Sequence, residues 1–408
     1  MWLINTSTFQ LEMFTGSNNI PPYAILSHTW GRDKDEVIFK EMLPGVEMSP
    51  AAEKEGFKKI QMTCTIARAE HDLDYAWIDT SCIDKSSSAE LSEAINSMFK
   101  WYQQANVCFA FLADLQVMSE NLAGCSCFSR AWTLQELIAP ERMQFFDQTW
   151  AYRGDKHTLC SEISSITGIS EDVLIGRRSL MEVPIAVRMS WASLRHATRE
   201  EDLTYCLLGL FDVNMPMLYG EGAKAFVRLQ LDIIKESADM SLFAWSALEE
   251  GPPEYSGLLA RAPADFRKSG ALVVFENVGQ NSTEISTTNQ GIRLRYSTIY
   301  SPGTSDHIIP LPYQDLSVPL SINYLEHSNV HNSTGILLHQ VGTDLFVRAC
   351  PRILYTHDAF NNSVPISESV HIAKTLSDKQ AASIGRRVIC ICKNRNCTQD
   401  ILGLFWDP

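Results

Sequence analysis

Nowhere does this chain run through the roughly eighteen consecutive apolar residues that a membrane-spanning helix needs. The first twenty residues (MWLINTSTFQLEMFTGSNNI) also lack the basic start and apolar stretch of a secretory leader. No membrane association is expected, and the chain reads as soluble and cytoplasmic. Basic residues are in deficit as well. The 34 Lys and Arg face 48 Asp and Glu, a net charge of −14 that repels a phosphate backbone. No stretch interleaves Lys or Arg with aromatics as a strand-binding groove does, so nucleic acid is excluded as an expected partner. Missing too are a Walker phosphate loop, a GxSxG nucleophile elbow and any internal repeat. The eleven cysteines form no paired framework, and Cys390, Cys392 and Cys397 lack the CxxC spacing of a zinc knuckle. The cysteines are expected to be reduced and mostly buried, with no metal site.

What is present is globular: 45% hydrophobic and 20% charged residues over 408 positions, enough chain for two or three domains. Residues 1–150 alternate two periods. Short runs rich in β-formers at Tyr23 to Leu26, Tyr75 to Ile78, Val107 to Leu112 and Met143 to Phe146 read as strands covered on both faces. Between them, Phe57, Ile60, Cys64 and Ala67, and then Leu91, Ile95, Met98, Phe99 and Tyr102, fall at helical spacing, the second set behind a capping stretch at Ser86 to Ser88. Strands alternating with helices predict right-handed crossovers and an α/β fold with a parallel, doubly wound sheet. Residues 151–250 are dominated by the helical period and read as a helical extension. Ser190 is the expected cap before WASLRHATREEDLTYCLLGLF, and a later helix carries Phe226, Leu229, Ile233 and Ile234 on one stripe. After the GPPEYSG punctuation, residues 255–408 read as a C-terminal β-rich domain.

In open parallel sheets the ligand crevice lies beyond the carboxyl ends of the strands. The first predicted strand runs out into Ser27, His28, Thr29, Trp30 and Gly31, with Gly31 permitting a tight turn; the second runs out into Asp79, Thr80, Ser81, Cys82 and Asp84; the third ends at Asp114. Each has a plainer reading. Ser27 and His28 can satisfy loop backbone, Asp79 can cap the next turn, and Cys82 can be a packed small residue or, paired with His28, a nucleophile. The block SRAWTLQEL (Ser129 to Leu137) sets Glu136 four residues after Trp132, on one helical face. Glu136 is a catalytic candidate if that helix borders the crevice, and a solvated residue of an amphipathic helix otherwise.

YAILSHTWG (Tyr23 to Gly31), LDYAWIDTSCID (Leu73 to Asp84), the stretch Ala94 to Leu115 and FSRAWTLQELIAP (Phe128 to Pro140) together resemble the heterokaryon incompatibility (HET) domain of fungal self/non-self recognition proteins. The resemblance continues through Ser190 to Gln230 and leaves the β-rich region aside. The HET domain is in turn remotely similar to the Toll/interleukin-receptor (TIR) fold, a flavodoxin-like parallel sheet, with SRAWTLQEL set beside the TIR serine-tryptophan-cysteine-x-x-glutamate-leucine block. Thr133 stands where TIR domains have the cysteine.

That resemblance implies programmed cell death or incompatibility signalling, with Glu136 at the position of the glutamate that enzymatic TIR domains use to cleave NAD. NAD is then the substrate and no cofactor is implied. Ordinary glycosidases need two carboxyl groups because one protonates the departing oxygen. Nicotinamide is a cationic pyridinium that leaves neutral, so one carboxylate stabilising a ribosyl cation is enough. Ser27, His28, Gly31, Asp79, Cys82 and Arg130 are the expected pocket residues, with Trp30 and Trp132 available to stack on the substrate rings. Self-association or an activating protein partner is implied. A non-catalytic self-assembling signalling module and a Cys-dependent hydrolase remain alternatives.

Overall fold

The computed structural model describes residues 1–16, 19–46, 49–119, 121–247, 254–274, 284–300, 306–315, 333–341, 345–349, 351, 364–377, 379–381 and 384; Cys350, Cys390, Cys392 and Cys397 lie outside them. The chain divides into two compact units, Met1–Leu180 with Arg195–Gly220, and Met181–Leu194 with Glu221–Pro408. Among the described residues no helix is long and apolar enough to cross a membrane.

The first unit is α/β. Its strands are β1 (Trp2–Asn5), β2 (Leu11–Met13), β3 (Tyr23–His28), β4 (Tyr75–Trp77), β5 (Val107–Phe111), β6 (Met143–Phe146) and β7 (Tyr152–Asp155), arranged β2-β1-β4-β3-β5-β6-β7. β3 pairs in parallel with β4 and β5, and β5 in parallel with β6. β1 and β7 extend this core antiparallel, at β4 and β6 respectively. The four parallel strands therefore lie in the order second, first, third, fourth, which is the flavodoxin-like order, and the crevice falls at the carboxyl ends of β3 and β5, where the order reverses.

All six residues of β3 and all five of β5 are buried, as continuous apolar runs in a two-faced sheet should be. Helices α1 (Glu55–His71) and α2 (Ser88–Gln104) lie in the β3–β4 and β4–β5 crossovers. Ser87 caps α2, its hydroxyl accepting the Glu90 N–H at 3.3 Å, and Ala94, Ile95, Met98, Phe99 and Tyr102 form the buried stripe. Trp77 is fully enclosed, edge-on to Trp101 and Tyr102 at 5.6 and 5.9 Å between ring centroids. The four strands read from the sequence are present; β1, β2 and β7 are additional, three or four residues each, too short for a period to register.

In the second unit the helix Ile185–Ser190 ends where the sequence suggested a beginning. The Ser190 hydroxyl donates back to Val187 O at 2.6 Å, so it closes this helix rather than capping a later one. The helix Lys224–Glu236 buries Phe226, Leu229, Ile233 and Ile234. The β-rich region holds β8 (Tyr255–Ser256), β9 (Leu272–Val274), β10 (Glu284–Thr287), β11 (Ile292–Tyr300), β12 (Asp306–Asp315), β13 (Ser333–Gln340), β14 (Leu345–Ala349) and β15 (Val364–Ile372). The path β11-β15-β14-β13-β12 returns to β11 by a direct β11–β12 pairing, so the sheet closes on itself. Arg348 of β14 is fully buried, donating to Phe243 O and Trp245 O and lying 3.9 Å over the Trp245 ring.

Candidate functional site

β3 carries Ser27 and His28 to the carboxyl edge of the sheet, and both are buried. The Ser27 hydroxyl donates to Glu136 Oε2 at 2.6 Å. His28 Nε2 lies 3.1 Å from Asp79 Oδ1, and its Nδ1 lies 3.2 Å from Lys59 Nζ. An ammonium has donors only, so the second contact requires a lone pair on Nδ1 and leaves the ring proton on Nε2, facing Asp79. His28 is thus clamped from both sides.

The loop after β3 is fixed by a buried carboxylate. Glu36 Oε1 accepts the Gly31 N–H and the Lys59 ammonium, each at 2.6 Å. Gly31 lies outside the left-handed backbone region, so the tight turn expected of it is not what the position uses; its N–H contact with Glu36 is. The glycine that close packing does demand is Gly56 of α1, where a Cβ would come within 2.7 Å of Glu36 Oε2 and 2.9 Å of Asp35 O. So anchored, the loop leaves Trp30 exposed, its indole N–H donating to Asp79 Oδ2 at 2.8 Å and its ring carrying the Lys85 ammonium 3.6 Å from the centroid.

Asp79 opens a helical turn, Asp79–Cys82, directly after β4. Its oxygens are taken by His28 and Trp30, with Lys85 Nζ at 3.9 Å, so it binds side chains and does not cap the turn. Burial pushes its carboxyl up, but Lys85, His28 and the Trp30 N–H together outweigh that and hold it well below the usual carboxylate range. Cys82, three residues on, is buried. Its Sγ accepts the Ile78 N–H at 3.4 Å, and burial drives the thiol far above its ordinary range. Such a thiol is a packing residue rather than a nucleophile.

Helix α3 (Thr133–Ile138) is buried along its whole length. Its start is tied down by Thr133, whose hydroxyl reaches Cys127 O and Arg130 O, and by Arg195, which donates to Arg130 O at 2.8 Å and to Thr133 Oγ1 at 3.1 Å. The buried Lys156 ammonium serves its other end, donating to Leu137 O, Ile138 O and Pro140 O. Glu136 is therefore held on a helix fixed at both ends, 8% exposed. Burial raises it to about 7, with the Asp79 charge adding to the rise; the Ser27 hydroxyl, the Arg130 charge and the Tyr102 phenol pull the other way. Environments thus drive two carboxyls apart, Asp79 staying anionic while Glu136 exchanges its proton near neutrality, a pattern that separates acid–base roles.

Ser27, His28, Trp30, Asp79 and Glu136 accordingly lie in two hydrogen-bonded groups joined through the adjacent Ser27 and His28. Arg130 is linked to Glu136 through its charge. Trp132 is associated elsewhere, acting on the Asp202 carboxyl, which accepts the Tyr219 hydroxyl at 3.0 Å. Lys85, Tyr102, Glu36 and Lys59 were not singled out by sequence. Lys85 directly follows the polar run that ends β4 and so carried a local signal; Tyr102 was absorbed into an apolar stripe; Glu36 and Lys59 meet only through tertiary structure.

Residues 23–126 match the family of heterokaryon incompatibility protein (HET). Vegetative incompatibility protein HET-E-1 of Podospora anserina is 43% identical over 231 residues, which are 54% of this chain and 17% of that protein. The chain thus corresponds to under a fifth of this curated relative. No solved structure matches. The matched segment carries Ser27, His28, Trp30, Asp79 and Cys82, and Glu136 follows shortly after its end. Residues 23–126 therefore match a heterokaryon incompatibility (HET) domain, and the likeness to the vegetative incompatibility protein, over 231 residues, is longer than that segment.

Proposed function

We propose that this chain is a cytoplasmic effector of heterokaryon incompatibility and programmed cell death that hydrolyses NAD at the nicotinamide–ribose bond, with Glu136 as the catalytic carboxylate. The observation that carries this reading is the buried Glu136 at the carboxyl end of β3, hydrogen-bonded to Ser27 and titrating near neutrality. The role in incompatibility is supported by the HET match and by the likeness to a vegetative incompatibility protein. The flavodoxin-like strand order supports the kinship with TIR domains.

The C1′–N bond of NAD breaks with its electron pair passing to the pyridinium nitrogen, so nicotinamide departs neutral and needs no acid. Ionised Glu136 stabilises the ribosyl cation across a desolvated gap. A water then adds to C1′, and the proton it sheds passes to Glu136, whose raised proton affinity suits it to the base role at neutral pH. Ser27 orients the carboxylate. Exposed Trp30 offers a face for a planar ring. Activity is expected in the self-associated protein or with an activating partner.

Induced expression of the full chain in a fungal host tests the reading in the cell. Loss of NAD followed by cell death with wild-type protein, and neither with Glu136→Ala at equal abundance, supports it. Cell death without NAD loss would favour a non-catalytic signalling module.

A further inference from the structure

Asp79 offers its two oxygens to different surroundings. Oδ1 meets the His28 ring at 3.1 Å, a side chain only 1% exposed. Oδ2 meets partners at the surface. Among the described residues its hydrogen bond comes from the exposed Trp30 indole at 2.8 Å, and Lys85 Nζ stands 3.9 Å away, beyond hydrogen-bonding reach. A carboxylate accepts at about four positions, so the outer oxygen of this 18% exposed side chain keeps acceptor capacity. The position relative to Glu136 follows from the strand. Ser27 and His28 are successive residues of β3 and face opposite sides of the sheet. Glu136, bonded to Ser27, and Asp79, bonded to His28, therefore flank the tip of β3 from its two sides. A dinucleotide carries two riboses, and this crevice has one carboxyl for each.

We propose that Asp79 and Trp30 form the adenosine half of the site, Asp79 Oδ2 accepting from the 2′- and 3′-hydroxyls of the adenosine ribose while adenine stacks on the indole, so that the site takes NAD and rejects NADP. The inference rests on the NAD reading and adds which dinucleotide is accepted. Hydroxyls donating to a fixed anion make charge-assisted bonds, and NAD-binding parallel sheets use one carboxylate in this way. The indole is held still by its bond to Asp79, by Lys85 over one face at 3.6 Å and by a loop anchored through Glu36 to Lys59. A ring so fixed, in a residue 45% exposed, is a stacking surface with little freedom left to lose. Pyridinium would bring a second cation to a ring that already carries an ammonium, whereas adenine is neutral; the nicotinamide end accordingly goes to Glu136. A 2′-phosphate would meet the Asp79 anion directly, and like charges so juxtaposed are strongly disfavoured. Lys85 balances Asp79 and leaves no charge over to offset that phosphate.

The test measures kcat/KM for NAD and NADP, which share the bond to be cleaved, and titrates ADP-ribose and its adenosine 2′-phosphate form by calorimetry. Wild-type protein should favour the member of each pair without the 2′-phosphate by about 100-fold. In Asp79→Asn that preference should fall below about tenfold. Asp79→Glu, which restores an anion, should recover part of it, and this excludes misfolding as the cause. Trp30→Ala, at an exposed position, should weaken ADP-ribose binding by about tenfold or more and keep the preference. Absent ADP-ribose binding, equal binding of the two forms by wild type, or a preference that survives Asp79→Asn overturns the half-site. If ADP-ribose binds with the expected preference and neither dinucleotide is cleaved, the hydrolase reading fails and the half-site stands.

Discussion

Ser27 Oγ donates to Glu136 Oε2 at 2.6 Å across 109 positions of sequence. A hydroxyl aimed at a carboxylate favours its charged form, so Ser27 is among the groups that bring Glu136 down toward 7 against burial. In Ser27→Ala the proton should be held more tightly. Since ionised Glu136 is the working form, NAD cleavage should rise with pH and level off above about 7 in the wild type. The variant should level off roughly one unit higher, a shift equivalent to about 1.4 kcal/mol. A pH–rate profile checks this; coincident profiles would show that Ser27 does not act on Glu136.

The same burial makes Glu136 costly to the fold. Its proton is held more tightly in the native state than in the unfolded one, so between pH 4.5 and about 7 the native protein binds more protons and stability falls as pH rises. Above that window the loss is complete, on the order of 3 kcal/mol. Glu136→Gln keeps the shape without the charge. It should raise the melting temperature at pH 8 by several degrees, roughly 2–4 °C per kcal/mol for a unit of this size, and change little at pH 4. Calorimetric scans at both pH values distinguish this from a general stabilisation.

Cys82 gives the opposite expectation. With its thiol buried and held protonated, Cys82→Ala should leave nicotinamide release within about twofold of wild type, and native protein at pH 8 should resist alkylation at this position. Peptide mapping after iodoacetamide treatment reads the second outcome.

Lys156 positions Glu136 from behind. Lys156→Met keeps the apolar stem but leaves Leu137 O, Ile138 O and Pro140 O without their buried donor, at about 1–3 kcal/mol for each group not rescued by water. Thermal melts should show the loss. The activity remaining in folded variant should fall through kcat rather than KM, because the helix end shifts the carboxylate and not the loop around Trp30.

Much of the first unit was legible because its signals are local. β3 and β5 are unbroken apolar runs and α2 has a serine cap ahead of a clear stripe. The residues ending β3 and β4 were identifiable because doubly wound sheets place their crevice there. Pairing was not legible. Nothing near Glu136 in sequence announces Ser27, and the Glu36–Lys59 contact that anchors the Trp30 loop spans 23 positions. Ser190 misled because a serine that bonds back to the preceding turn looks, in sequence, like one that caps the next helix. Trp132 shares a helical face with Glu136 by spacing, yet it acts on Asp202 through the fold.

The most direct measurement is nicotinamide release from NAD by the purified chain, followed across a concentration series that promotes self-association, for wild type, Glu136→Gln and Cys82→Ala. Release of nicotinamide and ADP-ribose in equal amounts by wild type and Cys82→Ala, with at least about a thousandfold loss in Glu136→Gln, is the predicted result. Equal release by wild type and Glu136→Gln would contradict it.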